Sequence, residues 1–293
     1  MKPGPDLKTV GLAVLGGALA YIVGNYVASD YCVKKSFEPV VYELPFSVSI
    51  VVTAAHEPDM LLEVALSSLR SQSLVKCEKN DVELVLVAGD GVNLDIAEKY
   101  CDRVIVEREV RGDLPPGKLT ARHIGIREAR GEVIVASDAD TYYPPGWLAQ
   151  LLKPYVEKRN VVGTHGVCLC MNELTRVDFR TLLGWWMLCA YYGSVFPGMN
   201  SSFLKKAYYR AGGFDLGSQG TFGELWWEEE FAFKKRLERL GKVVFVPTAV
   251  AISLDYTRLK RFRGLRRTTS SAPVDRSTIS ALGLKYWTKV LLQ

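Results

Sequence analysis

The chain has 293 residues, of which 48% are hydrophobic and 24% charged, and its formal net charge is +5. This length and balance predict one large globular domain with appendages. Residues 258–293 hold nine Lys or Arg against one acidic residue. Because Phe262 is the single aromatic residue in its densest part, this basic tail favours an anionic lipid surface or a phosphate-bearing acceptor over nucleic acid. A solvated tail with no specific partner is the alternative. The six cysteines lack the paired spacing of a zinc site and are typical of a reducing compartment.

The N-terminal segment carries no charged side chain between Lys8 and Asp30, a span of 21 residues. As a helix it would be about 31 Å long at about 1.5 Å per residue, which is enough to cross a bilayer. A cleaved signal peptide is the competing interpretation, but its apolar region is usually about 7–15 residues long and no convincing cleavage site follows. The sequence therefore predicts a single-pass membrane anchor over residues 1–33 and a linker over residues 34–46. The flanking lysines balance and give no orientation.

After the linker, apolar β-branched runs alternate with segments of helical periodicity. This alternation predicts an α/β fold with a mostly parallel sheet covered by helices on both faces, extending over residues 47–257. Ligands of such sheets bind at the carboxyl ends of the strands. The predicted strands are Ser47–Thr53, Val82–Ala88, Val104–Val106 and Glu132–Ala136, and the predicted helices begin at Pro58, Lys118 and Pro144–Gly146.

Two carboxylates, Asp138 and Asp140, come directly after the strand Glu132–Ala136. Residues i and i+2 of an extended segment point the same way, so both can present oxygens to one hard cation. An isolated pair of this kind is more often a surface turn, because acidic residues favour strand exits. Two other strand ends also carry polar candidates, at Ala54–Glu57 and at Asp90. Together they favour a site for a divalent metal and a diphosphate at one edge of the sheet.

Seven segments have an order, spacing and chemistry that agree with one another. They are Val48–Glu57, Val87–Gly91, Pro116–Ile126, Ser137–Asp140, Gly198–Ser202, Gly212–Asp215, and Trp227–Glu230 with Arg236–Leu237 and Gly241. This pattern resembles the GT-A-fold inverting glycosyltransferases of glycosyltransferase family 2, from about Val48 to Val250. The conjunction of segments is far more specific than any single motif.

The resemblance implies an enzyme that uses a UDP- or GDP-sugar together with Mg²⁺ or Mn²⁺ and transfers the sugar with inversion. The donor would contact Ala54, Glu57, Asp90, Lys118, Arg122 and Asp138. The metal that neutralises the leaving diphosphate would be held by Asp140 and Asp138. The general base that deprotonates the acceptor would be Glu230, with Glu229 as the second choice. The acceptor side would include Asn200, Ser201 and Trp227.

These roles require Asp90, Asp140 and Glu230 to meet around a single crevice. The first strand ends in Thr53–His56 where the family usually has Pro-x-Tyr-Asn, which leaves room for a different interpretation. The alternative is a catalytically inactive GT-A-like membrane module that binds a nucleotide or an anionic lipid. A nucleotidyltransferase would need a glycine-rich basic signature near the first strand, and the sequence has none. The absence of a Gln-x-x-Arg-Trp motif argues against a processive polymer synthase.

The aromatic-rich stretch over residues 182–192 fits a membrane interface near the acceptor and a buried core equally well. Taken with the anchor and the basic tail, the first interpretation predicts an acceptor at the membrane. A lipid phosphate or a lipid-linked saccharide fits this expectation, and a soluble saccharide or protein is the alternative. The only glycosylation sequon, Asn200–Ser202, lies in the segment assigned to the acceptor side. A glycan there would block function, so the catalytic domain is expected on the cytosolic side.

Overall fold

The computed structural model describes residues 27–28, 31–170, 196–218 and 226–254. Most of the predicted anchor, the aromatic-rich stretch over residues 182–192 and the basic tail lie outside these ranges. Among the residues that are described, no helix is both long enough and apolar enough to cross a membrane.

The described residues form one mixed sheet with helices packed against it. The strands are β1 (Val48–Ala54), β2 (Val82–Ala88), β3 (Arg103–Val106), β4 (Val133–Asp138), β5 (Thr141–Tyr142), β6 (Val161–Cys170), β7 (Ser201–Leu204) and β8 (Lys242–Ser253). The helices are α1 (residues 31–37), α2 (Asp59–Arg70), α3 (Leu94–Tyr100), α4 (Glu107–Val110), α5 (Lys118–Glu128), α6 (Trp147–Glu157), α7 (Lys205–Arg210) and α8 (Trp226–Glu238). The strand order is β3-β2-β1-β4-β7-β6-β8-β5.

The half of the sheet that holds the candidate site is parallel, as predicted. Strand β1 lies between β2 and β4 and pairs with both in parallel, so that Thr53 aligns with Val87 of β2 and Asp138 of β4. All seven residues of β1 are buried, with Ile50 in the core on one face and Val51 in the core on the other. The carboxyl ends of β1, β2 and β4 therefore meet at one edge of the sheet.

The other half of the sheet differs from the predicted, mostly parallel arrangement. Strand β7 is antiparallel to both β4 and β6, and β5 is antiparallel to β8, whereas β6 and β8 are parallel. The prediction was wrong here because an apolar strand has the same sequence period whichever way it runs. The architecture is mixed α/β.

Residues 34–46, predicted as a linker, pack against the domain. The buried hydroxyl of Ser36 donates a hydrogen bond to the carbonyl of Val250 at 3.1 Å and accepts one from the N–H of the same residue at 3.2 Å. The hydroxyl of Tyr42 donates to the carbonyl of Ala149 at 2.7 Å. These partners in β8 and α6 are distant in sequence, so the composition of the segment alone does not reveal the contacts.

Helix α5 begins at the edge of the sheet where the candidate site lies. Gly117, directly before Lys118, has a φ of 152°, which residues with a side chain rarely adopt. Gly125 lets the helix lie close to the sheet, because a Cβ there would be 2.3 Å from Cγ1 of Val51 and 3.0 Å from Cγ2 of Val87. The first turns of α5 are thereby fixed beside the end of β4.

Candidate active site

A cleft of about 340 Å³ opens at the carboxyl ends of β1, β2 and β4. Six of the predicted donor and metal residues line it: Ala54, Glu57, Asp90, Lys118, Asp138 and Asp140. The rest of the lining comes from the end of β1 and the loop after it, from the residue after β2, from α4 and the residue after it, and from the start of α5. It consists of Thr53, Ala55, His56, Gly89, Glu107, Arg108, Arg111, Pro116, Gly117 and Ala121. The strand ends that the sequence singles out separately therefore share one crevice.

The carboxylate pair sits at the end of β4 on a main chain that a buried tyrosine fixes. Asp138 is the last residue of β4, and both it and Asp140 are largely buried. The N–H of Asp138 donates to the hydroxyl of Tyr143 at 2.9 Å, and that hydroxyl donates to the carbonyl of Met199 at 3.1 Å. Sequence reasoning missed Tyr143, whose signal is its position three residues after the second aspartate. Its burial fixes where the carboxylates point.

Two cations from consecutive turns of α5 hold the carboxylate of Asp138. Lys118 Nζ donates to Oδ2 at 2.5 Å, and Arg122 Nη2 donates to Oδ1 at 3.0 Å. The side chain of Lys118 is 27% exposed and lines the cleft, so it can reach a phosphate there. The side chain of Arg122 is only 1% exposed and does not line the cleft. The structure therefore places Arg122 away from the cleft surface, because α5 turns this side chain into the interior.

Glu230 of α8 connects to the same network from the opposite side. Arg122 Nη1 donates to Oε1 of Glu230 at 2.5 Å, and the N–H of Gly198 donates to Oε2 at 3.1 Å. Burial raises the pKa of Glu230, while the positive charge of Arg122 opposes the rise. A single guanidinium thus bridges the carboxylates of Glu230 and Asp138. Asp90 and Asp140 share the cleft, but the Glu230 side chain is only 4% exposed and does not line it.

Glu229, the second candidate for the base, is hydrogen-bonded to residues that belong to neither the cleft nor the Asp138 network. Its Oε1 accepts hydrogen bonds from the N–H of Asp215 at 2.7 Å and from Nη2 of Arg236 at 2.6 Å. These contacts join the main chain at Asp215 to the first and last turns of α8. Of the two carboxylates, only Glu230 is joined through an arginine to Asp138 at the cleft.

The outer part of the cleft is formed by exposed and half-buried charged side chains. Glu57 Oε2 accepts from the N–H of Ala55 at 2.6 Å, which fixes the loop after β1. The side chain of Asp90 is 79% exposed, and its Oδ1 lies 3.7 Å from Nη1 of Arg108. Sequence reasoning missed Arg108 and Arg111, since α4 has only four residues and no hydrophobic period. Both arginines line the cleft, where Arg108 is paired with Asp90 and Arg111 with Glu107.

The family comparison decides the class of protein. The model of Glycosyl transferase family 2 matches residues 49–215, which is more than half of the chain. The chain belongs to glycosyl transferase family 2. It is therefore a nucleotide-sugar-dependent glycosyltransferase. No curated protein matches the chain.

Solved glycosyltransferases share its fold at low sequence identity. Mannosyltransferase PcManGT from Pyrobaculum calidifontis, in complex with GDP-Man and Mn²⁺, has a TM-score of 0.56 and 16% identity over 96% of this chain and 76% of that chain. Glucosyl-3-phosphoglycerate synthase from Mycobacterium tuberculosis, in complex with Mn²⁺, UDP-Glc and phosphoglyceric acid, has a TM-score of 0.51 and 17% identity over 83% and 80%. GalNAc-T7 with UDP, GalNAc and Mn²⁺ has a TM-score of 0.52 and 15% identity over 86% and 53%. The predicted GT-A fold is confirmed.

Two of the three residues that the family pattern assigns to the acceptor side are buried and do not line the cleft. Asn200 is fully buried, and Ser201 is buried in β7 between β4 and β6. The amide of Asn200 is hydrogen-bonded on both sides, because Oδ1 accepts from Trp147 and Nδ2 donates to two carbonyls of β6 and β8. These partners are far away in sequence, so the residues next to Asn200 do not reveal that its side chain is buried. The side chain of Trp227 lies outside the described residues.

The carboxylate pair fits a divalent metal that the substrate helps to bind. In the described ranges, no group of three or more His, Cys, Asp or Glu side chains could hold a metal alone. Mg²⁺ is usually held by one or two carboxylates together with substrate phosphates, and Asp138 and Asp140 supply that number at the cleft. The donor set therefore suits Mg²⁺ or Mn²⁺ in the company of a diphosphate.

Proposed function

We propose that the protein is a metal-dependent inverting glycosyltransferase that moves one sugar from a UDP- or GDP-sugar to an acceptor hydroxyl or phosphate. The observation that carries the proposal is the bridge from Asp138 through Arg122 to Glu230. A single guanidinium thereby connects a candidate base to a carboxylate that lines the donor cleft. Two similar structures contain GDP-Man or UDP-Glc together with Mn²⁺, which supports this donor class and this metal.

In the proposed reaction, the acceptor oxygen forms a bond to the anomeric carbon while the bond from that carbon to the diphosphate breaks. Mg²⁺ or Mn²⁺ bound by Asp138 and Asp140 would neutralise charge on the departing diphosphate. Lys118 donates to the diphosphate oxygens from the cleft wall. Glu230 accepts the proton of an acceptor hydroxyl, a role that suits a carboxylate whose pKa is raised by burial. Attack opposite to the leaving group inverts the anomeric configuration.

The first experiment offers a panel of nucleotide sugars to the full-length protein with Mn²⁺ and measures release of the nucleoside diphosphate. We expect release from a UDP- or GDP-sugar that disappears when a chelator removes the metal. The anomeric configuration of an isolated product, read by NMR, tests inversion. Tight binding of a nucleotide with no turnover of any donor would instead support an inactive binding module.

Two isosteric variants separate the two candidate bases. Glu230→Gln should lower transfer by about 100-fold or more, because the proton acceptor is lost while the shape is kept. Glu229→Gln is the matched control, and it should change transfer little and cost about 1 kcal/mol of stability through the weakened contacts to Asp215 and Arg236. Loss of transfer in Glu229→Gln with normal transfer in Glu230→Gln would refute the assignment.

The membrane part of the proposal concerns the acceptor and the location. The apolar segment between Lys8 and Asp30 and the basic tail support a single-pass membrane protein with its catalytic domain on the cytosolic side. A lipid phosphate or a lipid-linked saccharide is then the proposed acceptor. Transfer assays with the same donor compare soluble saccharides with polyprenyl phosphates in mixed micelles. Activity confined to soluble acceptors would remove the lipid acceptor and leave the transferase intact.

A further inference from the structure

The guanidinium of Arg122 joins two carboxylates that come from different elements and have different proposed tasks. Nη2 donates to Oδ1 of Asp138 at 3.0 Å, and Nη1 donates to Oε1 of Glu230 at 2.5 Å. The side chains of Arg122 and Glu230 are 1% and 4% exposed. A planar guanidinium can hold two carboxylates in a fixed relative orientation, which a single ammonium group cannot do.

Glu230 is fixed at both of its oxygens. Oε1 is held by Arg122, and Oε2 accepts a hydrogen bond from the N–H of Gly198 at 3.1 Å. The chain at residue 198 passes so close that a Cβ there would be 2.0 Å from Oε1 of Glu230 and 2.1 Å from Nη1 of Arg122. Only glycine leaves room for the ion pair, so the main chain at Gly198, shortly before β7, takes part in orienting the carboxylate.

We propose that Arg122 is a positioning residue of the reaction, which orients the Glu230 carboxylate and ties it to Asp138, and that it does not bind the donor diphosphate. This inference rests on the proposed function and deepens it. Lys118 is then the cation of α5 that meets the donor, because it lines the cleft and Arg122 does not. One side chain, which contacts neither the donor nor the acceptor, therefore keeps the donor site and the base in a fixed relative position.

The test replaces Arg122 by lysine in the full-length protein. This substitution keeps the positive charge and removes the planar guanidinium that donates to two carboxylates at once. Calorimetry with Mn²⁺ and UDP or GDP measures donor-site affinity, and steady-state kinetics measures kcat and KM. We expect Kd to change by less than about 3-fold and kcat to fall by about 100-fold, as for loss of a general base. A merely structural role would not separate kcat from Kd in this way.

A second variant reaches the same ion pair without changing any charge. Gly198→Ala should force Glu230 and Arg122 apart and lower kcat with little change in nucleotide affinity. Gly217→Ala is the matched control, because the nearest atom to its added Cβ would be Oδ1 of Asp215 at 3.4 Å, an ordinary contact distance. This variant should leave kcat and nucleotide affinity unchanged.

The pH profile supplies a third readout. The charged groups that act on Glu230 are Arg122 and Lys118 of α5 and Asp138 of β4, and Arg122 opposes the rise in the pKa of Glu230 that burial causes. Activity requires the deprotonated base, so Arg122→Gln should move the acidic limb of the kcat profile to higher pH. Arg122→Lys, which keeps the charge, should move it less.

The inference is overturned if Arg122→Lys weakens nucleotide binding by about 10-fold or more while kcat at saturation stays near the wild-type value, because that result marks a donor ligand. It is also overturned if both Arg122→Lys and Gly198→Ala keep wild-type kcat. In these two cases the wild-type protein transfers sugar and the proposed function stands. A wild-type protein that turns over no donor defeats the proposed function itself, and the positioning role with it.

Discussion

Replacement of Asn200 by alanine tests whether this residue supports the fold or faces the acceptor. The amide makes three buried hydrogen bonds, each of 2.8 Å: Nδ2 donates to the carbonyls of Val167 and Ala249, and Oδ1 accepts from Nε1 of Trp147. They join β6, β8 and α6 behind the cleft. We expect Asn200→Ala to weaken the whole domain, with no selective effect on the acceptor.

The expected cost follows from the partners that the substitution leaves behind. A hydrogen bond contributes about 1 kcal/mol net, and a buried donor or acceptor left without a partner costs about 1–3 kcal/mol. The indole N–H of Trp147 is fully buried, and alanine supplies no replacement acceptor. We expect the free energy of unfolding to fall by about 3–5 kcal/mol, a large share of a typical total of about 5–15 kcal/mol.

Urea unfolding of the purified full-length protein, followed by circular dichroism, measures this loss. The matched control is Asn93→Ala, which removes the N-cap of α3, where the side chain accepts from the N–H of Ile96, and should cost about 1 kcal/mol. The reasoning is refuted if Asn200→Ala loses less than the control and instead raises the acceptor KM with kcat and donor affinity unchanged.

The remaining two predictions concern pH and the metal. His165 is buried against the rings of Phe196 and Phe245, and burial, with the nearby charge of Lys234, lowers its pKa to about 3. Between about pH 6.5 and 3 the unfolded chain binds a proton that the folded protein does not, so stability falls as pH falls, by about 2 kcal/mol at about pH 5. His165→Phe should remove this part of the acid sensitivity in urea unfolding at two pH values, and an unchanged pH dependence would contradict the assigned cause. Asp140→Asn should raise the Mn²⁺ concentration needed for half-maximal nucleotide binding by about 10-fold or more, and an unchanged Mn²⁺ requirement would exclude it as a ligand.

Several features of the candidate site could be predicted because they depend on residues that are close in sequence. The strands β1, β2 and β4 are continuous apolar runs, and their carboxyl ends meet because parallel pairing places them at one edge. Asp138 and Lys118 follow from this arrangement, since each stands directly at the end or the beginning of an element at that edge. The local pattern therefore places the donor cleft before any tertiary contact is known.

The positions of other predicted site residues could not be read from the sequence, because they depend on which way a side chain turns after packing. Arg122 is one turn from Lys118 and carries the same charge, yet docking of α5 on the sheet buries it between carboxylates from two other elements. The motif around Asn200 looks like a polar loop, although its amide completes hydrogen bonds with strands and a helix distant in sequence. The residues next to Arg122 and Asn200 in the sequence do not reveal the surroundings of either side chain.

The sequence by itself determined the family, the parallel half of the sheet and the edge at which a nucleotide sugar and a metal are expected, because these depend on local periodicity and on short motifs in a fixed order. Only the tertiary structure decided that Glu230, and not Glu229, joins the cleft network, that Arg122 is a bridge, and that β7 runs antiparallel. The physical reason is that burial, ion pairing and strand direction are set by partners from distant parts of the chain.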